Sequence, residues 1–244
     1  FINIRAFEKK YADYSGAFLD NPFMFDLGKK SEKQVAVLTD DYNPIASRKF
    51  DEISDFMIYS KGPETIVDDI MDSLKRINPK EKADVVFVID TTGSMKDDIA
   101  KLRKEWVPRL IEGLKDFGSV RLGLLLYRDY GDVLYNYNNI PVKFFDFTND
   151  VSVFTKNLNG FKIYGNEGGD IPEAVYEGLY GGISFYNWDN TAQKKIILIG
   201  DAEPHPVPRG TKKYTKELVT DLAAQKGIII DAIITPDDRR DKRR

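Results

Sequence analysis

The sequence predicts an α/β fold: a doubly wound, mostly parallel, Rossmann-like sheet flanked by helices and preceded by an N-terminal extension. Three observations carry this expectation. From residue 83 onward, apolar strand-like runs alternate with helical patterns. Three of those runs are almost continuously apolar, as strands covered on both faces must be. Acids or hydroxyl residues stand where two of the runs end, at the edge where open α/β sheets gather ligands.

Residues 1–80 form the extension, aromatic-rich and irregular in pattern. FINIRAF (1–7), QVAVLTD (34–40) and DFMIYS (55–60) read as short strands. Residues 64–77 read as a helix, with Ile66, Val67, Ile70, Met71, Leu74 and Ile77 at three- and four-residue spacings. Asn78-Pro79-Lys80 ends it. The main domain spans 83–236, with strands VVFVID (85–90), VRLGLLLY (120–127), VKFFDF (142–147), KIILIGD (195–201) and IIIDAII (228–234). VKFFDF is less uniform and follows a short connection, so it is expected at an antiparallel edge. Helices are expected over 95–117, 171–185 and 211–225. In the first, Ile99, Leu102, Trp106, Leu110 and Leu114 share one face, and Pro108 is expected to kink it. Residues 237–244 are a charged tail, read as a solvated end.

Composition excludes several functions. With 36 basic and 39 acidic residues the formal charge is −3, which argues against a nucleic-acid partner. There is no cysteine, hence no disulfide and no thiolate chemistry, and a single histidine rules out a multi-histidine zinc site. No stretch approaches a membrane span of about 20 apolar residues. A start at Phe1 rather than Met points to a processed or trimmed chain, from which any signal peptide is already missing.

Three segments bring oxygen ligands to the sheet edge. In DTTGS (90–94), Asp90 ends a strand, and Thr92 and Ser94 follow at alternate positions of an extended turn. One carboxylate and two hydroxyls on one side make a hard-oxygen set suited to Mg²⁺, Mn²⁺ or Ca²⁺. The competing reading is that Thr92 or Ser94 caps the next helix. In GNEGGDIPEAV (165–175), Asp170 and Glu173 have capping-box spacing with Pro172 in the first turn; either acid can also face the first loop as a ligand, since one carboxylate has two oxygens. In IILIGDAEPH (196–205), a buried strand runs into Asp201, followed by Glu203 and His205, the only histidine.

On these residues the chain resembles a von Willebrand factor type A domain. DTTGS matches that family's D-x-[ST]-x-S metal-ion-dependent adhesion signature, with Asp90, Thr92 and Ser94 on the ligand positions and Asp201 on the aspartate ending the family's fourth strand. RDYGD (128–132), FDFTND (145–150), GGDIPEA (168–174) and GDAEPH (200–205) resemble a bacterial branch. The second loop departs from the common threonine. Its D-x-P-E segment is similar to integrin β-subunits, which implies Glu173 as the fourth metal ligand and Asp170 near a neighbouring ion. SMKDD (94–98) also resembles integrin β, implying a second ion site at Asp97 and Asp98. Their other reading is helix N-terminal acids favoured by the macrodipole. A type A domain usually continues past IIIDAII with a further helix; either the chain is cut short there or the first 80 residues supply the missing cover, with the helix at 64–77 as the candidate.

The resemblance implies a metal-dependent adhesion module. A divalent cation, Mg²⁺ before Mn²⁺ or Ca²⁺, would complete its coordination with an Asp or Glu of a protein ligand, for example a host or extracellular-matrix protein. The implied location is a bacterial cell envelope, periplasm, surface or secreted protein. Tyr130 and Tyr164 are candidate rim aromatics. Two other readings stay open: a hydrolase or protease using Ser94 and His205 or the bound metal, and a structural module whose site is empty.

Overall fold

In the computed structural model, the described residues are 41–114, 117–165, 167–168, 171–206 and 213–237. The strands expected at 1–7 and 34–40, Asp170 and the tail from 238 lie outside them. Among the described residues six strands form one sheet: β1 (Phe56–Tyr59), β2 (Lys82–Asp90), β3 (Ser119–Tyr127), β4 (Val142–Thr148), β5 (Gln193–Gly200) and β6 (Ile228–Ile234). Their order is β1-β6-β5-β2-β3-β4. Only β3 and β4 run antiparallel, so the less uniform VKFFDF segment is the antiparallel edge that its composition predicted.

Strand β2 lies between β5 and β3 and is buried from Ala83 to Asp90. Its side chains alternate between two cores. Val85, Phe87 and Ile89 face α2 (Ile66–Leu74), α3 (Lys96–Lys101), α4 (Val107–Gly113) and α5 (Val151–Asn159). Val86 and Val88 face α1 (Pro44–Asp51), α6 (Val175–Ser184) and α7 (Lys216–Lys226). Burial on both faces explains why these strands read as continuous apolar runs rather than alternating ones.

Residues 41–80 are built into this sheet. Strand β1 pairs parallel with β6 from Phe56↔Asp231 to Tyr59↔Ile234. Helix α2 places Ile66, Val67, Ile70, Met71 and Leu74 in the first core.

The long helix expected over 95–117 is instead α3, a π-helical turn (Leu102–Trp106) and α4. Pro108 has no amide hydrogen for the carbonyl four residues back, and its ring would strike that carbonyl. Lys104 carries it and lies inside the widened turn. Where a kink at the proline was expected, the helix carries a widened turn directly before it.

Candidate functional site

The register builds the site. Asp90 pairs with Tyr127 on β3, and Ile89 pairs with Ile199 on β5, so Asp90 ends its strand between Tyr127 and Gly200. Thr91 then turns to β3, both its amide and its hydroxyl donating to the Tyr127 carbonyl at 3.0 Å. Thr92 turns back. Its amide and hydroxyl donate to Asp90 Oδ1 at 2.8 and 2.7 Å, and its Oγ1 lies 3.4 Å from Ser94 Oγ. A carboxylate and two hydroxyls thus gather from alternate positions of one turn. Neither Thr92 nor Ser94 caps a helix: Thr92 precedes the 3₁₀ turn Gly93–Met95 without a side-chain cap bond, and Met95 stands at the α3 N-cap.

The second loop is tied directly to the first, with the Gly93 amide donating to the Glu167 carbonyl at 3.1 Å. The Glu167 carboxylate accepts from the amides of Tyr164 and Gly165 at 2.6 and 2.9 Å, so it shapes its own loop. Glu173 corrects the capping-box expectation. Helix α6 begins at Val175 with Ala174 as N-cap, so Glu173 precedes the helix rather than occupying its first turn. Its backbone is held elsewhere: its amide donates to the Glu203 carbonyl at 2.9 Å, and its carbonyl accepts from the His205 amide at 3.3 Å. This one-residue parallel bridge to Pro204 joins the second loop to the third. The Glu173 side chain is 1% exposed, and a Cβ on Gly168 (φ +91°) would stand 2.8 Å from its Oε1.

Asp201 follows β5 and is fully buried. Glu203 accepts from Asn43 Nδ2, at the N-cap of α1. The three loops meet at Tyr127. Its phenol is pushed well above the ordinary value by burial and then by the charges of Asp90, Asp201 and Glu173. Among the described residues, no three carboxylate or imidazole groups alone are arranged to hold a metal. An ion here would draw on the Thr92 and Ser94 hydroxyls as well, and the donors are hard oxygens throughout, which fits Mg²⁺ or a similar cation.

Other candidates are placed differently. Asp98 is 2% exposed and its Oδ1 lies 3.6 Å from where a Cβ on Gly62 would stand, whereas Asp97 faces solvent. The structure therefore turns these neighbours apart. His205 Nε2 pairs with Asp129 Oδ1 at 2.7 Å, both residues buried. Among the described residues no hydrogen bond joins Ser94 to His205, and the serine–histidine hydrolase reading gains nothing from this geometry. Tyr164 is 69% exposed; Tyr130 is half-buried and donates to Glu177 Oε1 at 2.8 Å.

Sequence reasoning missed Arg128, which is 3% exposed. It donates to Thr91 Oγ1 (3.4 Å), Asp132 Oδ2 (2.7 Å) and the Lys162 carbonyl (2.6 Å), clasping the first loop, the β3–β4 connection and the second loop. The signal was present in RDYGD as opposite charges four residues apart directly after a strand.

A family model described as von Willebrand factor A domain matches residues 84–244. Alpha-protein kinase vwkA of Dictyostelium discoideum is 28% identical over 166 residues, 67% of this chain. The match spans only 24% of that kinase. Among solved structures, the pilus adhesin SpaC of Lactobacillus rhamnosus GG in its open conformation aligns with TM-score 0.47 and 16% identity, covering 64% of this chain and 24% of SpaC. The conserved hypothetical protein BatB of Bacteroides thetaiotaomicron aligns with TM-score 0.44 and 15% identity, covering 62% and 66%. The family model takes in the first loop, the second, the third and the strands that carry them, and on that match the chain belongs to the von Willebrand factor A domain family.

Proposed function

We propose that this chain is a metal-ion-dependent protein-binding module. A divalent cation, Mg²⁺ first among the candidates, is held at the carboxyl ends of β2 and β5 by Asp90, Thr92 and Ser94. Glu173 or Asp170 adds a second-loop ligand, and Asp201 contributes directly or through water. The observation that carries this reading is the gathering of the buried Asp90 carboxylate with the buried Thr92 and part-buried Ser94 hydroxyls in one turn. Membership of the family supports a protein-interaction role. Bound there, the ion supplies a Lewis-acidic position for a partner's Asp or Glu. Mg²⁺ favours about six oxygens, and a site with two neutral hydroxyls leaves charge for that partner to neutralise.

Calorimetric titration of chelator-stripped protein with Mg²⁺, Mn²⁺ and Ca²⁺ tests the reading. Saturable binding lost in Asp90→Ala and weakened in Thr92→Ala is the expected result. A heat-silent wild type whose melting temperature ignores all three ions would count against it.

A further inference from the structure

The turn after β2 alternates in what its residues do. Asp90, Thr92 and Ser94 gather their oxygens, while the residues between them are fastened to neighbouring elements. Thr91 gives its amide and its hydroxyl to the Tyr127 carbonyl on β3. Gly93 gives its amide to the Glu167 carbonyl on the second loop.

Both fastenings lead to one side chain. Arg128 Nε donates to Thr91 Oγ1 at 3.4 Å, and Nη2 lies 3.8 Å from Glu167 Oε1, with both members of that ion pair buried. Nη2 also donates to the Lys162 carbonyl at 2.6 Å, further back on the second loop. The backbone of the same residue reaches the neighbour of another candidate ligand: the Arg128 carbonyl accepts from the Ala174 amide at 3.2 Å, directly after Glu173. The guanidinium is itself held from behind, by Asp132 Oδ2 at 2.7 Å and by the Tyr135 ring 4.2 Å away. Burying a guanidinium is costly unless its donors are satisfied. Its planar fork lets one cation grip several segments in fixed geometry, which a lysine ammonium on a flexible stem does not do.

A clasp of this kind limits how far the two loops can spread. Mg²⁺ demands near-octahedral oxygens at about 2.0–2.1 Å, whereas Ca²⁺ accepts roughly six to eight at about 2.3–2.6 Å in looser geometry. Choice between the two ions therefore follows from the size and stiffness of the oxygen cage. Loops tied down at Thr91, Gly93 and Ala174 resist the expansion that the larger ion needs.

We infer that Arg128 is the positioning residue that sets ion selectivity: its clasp keeps the ligand turn and the second loop from spreading, and so favours Mg²⁺ over Ca²⁺. This rests on the metal-dependent reading above, and it adds which residue chooses the ion.

The test is calorimetric titration of the chelator-stripped full chain with Mg²⁺ and with Ca²⁺, in wild type, Arg128→Lys and Thr91→Val. Thr91→Val removes the hydroxyl that Arg128 grips and leaves the arginine in place, so it decides the matter where the arginine variant does not fold. Wild type is expected to bind Mg²⁺ more tightly than Ca²⁺. Either variant is expected to narrow that ratio about tenfold, the scale of one hydrogen bond to a charged group, chiefly by weakening Mg²⁺. Asp84→Asn, which removes a charge from the Arg121 pair at the far end of β2, is expected to keep the wild-type ratio. A second readout needs no ion: in EDTA the Gly93 amide is expected to exchange with deuterium faster in Arg128→Lys, while amides in the middle of β2 keep their protection. Equal losses for both ions, or a ratio that moves as much in Asp84→Asn, would reduce Arg128 to a stabilising residue and overturn the inference while the ion site stands. Unchanged Gly93 exchange, or a wild type that prefers Ca²⁺, would overturn it as well. Binding of neither ion by the wild type would remove the ion-site reading and this inference with it.

Discussion

The Tyr127 hydroxyl occupies the space that a side chain on Gly200 would need: a Cβ there would stand 2.5 Å from the phenol oxygen and 3.3 Å from the Asp90 Cβ. The absence of a side chain on β5 is thus what lets a tyrosine from β3 reach beneath the carboxylates of all three loops.

Gly200→Ala is therefore expected to push Tyr127 against the site. Overpacking of this kind costs about 1–3 kcal/mol. Urea unfolding checks the loss, and Tyr127→Phe in the same chain, which removes the obstructing oxygen, is expected to recover part of it. No recovery would place the strain on Phe50, whose ring lies 3.4 Å from the same point, rather than on the phenol.

Gly168→Ala strikes the second loop. The residue would have to hold φ near +91° with its Cβ 2.8 Å from Glu173 Oε1. The backbone cost is about 1–3 kcal/mol, and Glu173 must move. The ion titration is expected to show weaker affinity in this variant while far-ultraviolet circular dichroism stays unchanged.

Glu177 gives a pH signature. Burial is the largest influence on its carboxyl and raises it above the ordinary 4.5; the Tyr130 hydroxyl and the His205 charge lower it, and Asp129 raises it again. Over the interval between 4.5 and the raised value the folded chain holds a proton that the unfolded chain has released. Stability from this group is thus greatest in acid and is lost as pH rises through the folded value. Glu177→Gln keeps an acceptor for Tyr130 and has no proton to lose. Melting temperatures from pH 4 to 8 are expected to show its stability relative to wild type improving as pH rises; a constant difference would refute the assignment.

Asp84 supplies a control far from the ion site, at the opposite end of β2. It takes Arg121 in two bonds of 2.7 and 2.6 Å and accepts the Asp189 amide at 2.7 Å. Its side chain is buried, whereas that of Arg121 is 36% exposed, so solvent screens part of the pair. Asp84→Asn is expected to cost about 1–3 kcal/mol in urea unfolding and to leave ion affinity unchanged.

Much of this was legible in the sequence, for identifiable reasons. Strand β2 announced itself because burial on both faces demands uninterrupted apolar residues. Asp90, Thr92 and Ser94 could be grouped because an extended turn alternates its side chains, and Thr92 does bond back to Asp90. Glu173 was misread as a helix residue, because a capping-box pattern reports only local preference. The parallel bridge to Pro204 that pulls it out of the helix joins residues 31 apart in the chain. The same limit hid the Asp129–His205 pair, 76 residues apart, and the place of β1, whose partner lies at the other end of the domain.

That last pairing separates two boundaries that are commonly treated as one. The family match begins at residue 84, but β6 receives hydrogen bonds from the amides of Asp55 and Ser60 and shares its register with Phe56–Tyr59. A fragment started at Asp84 would retain every candidate ion ligand and lose a strand and two helices. Its isoleucine-rich β6 would become a bare edge, an invitation to strand-by-strand association with other copies. The stretch by which relatives recognise one another is shorter than the stretch that has to be synthesised together, and expression trials should take their first residue from the sheet rather than from the motif.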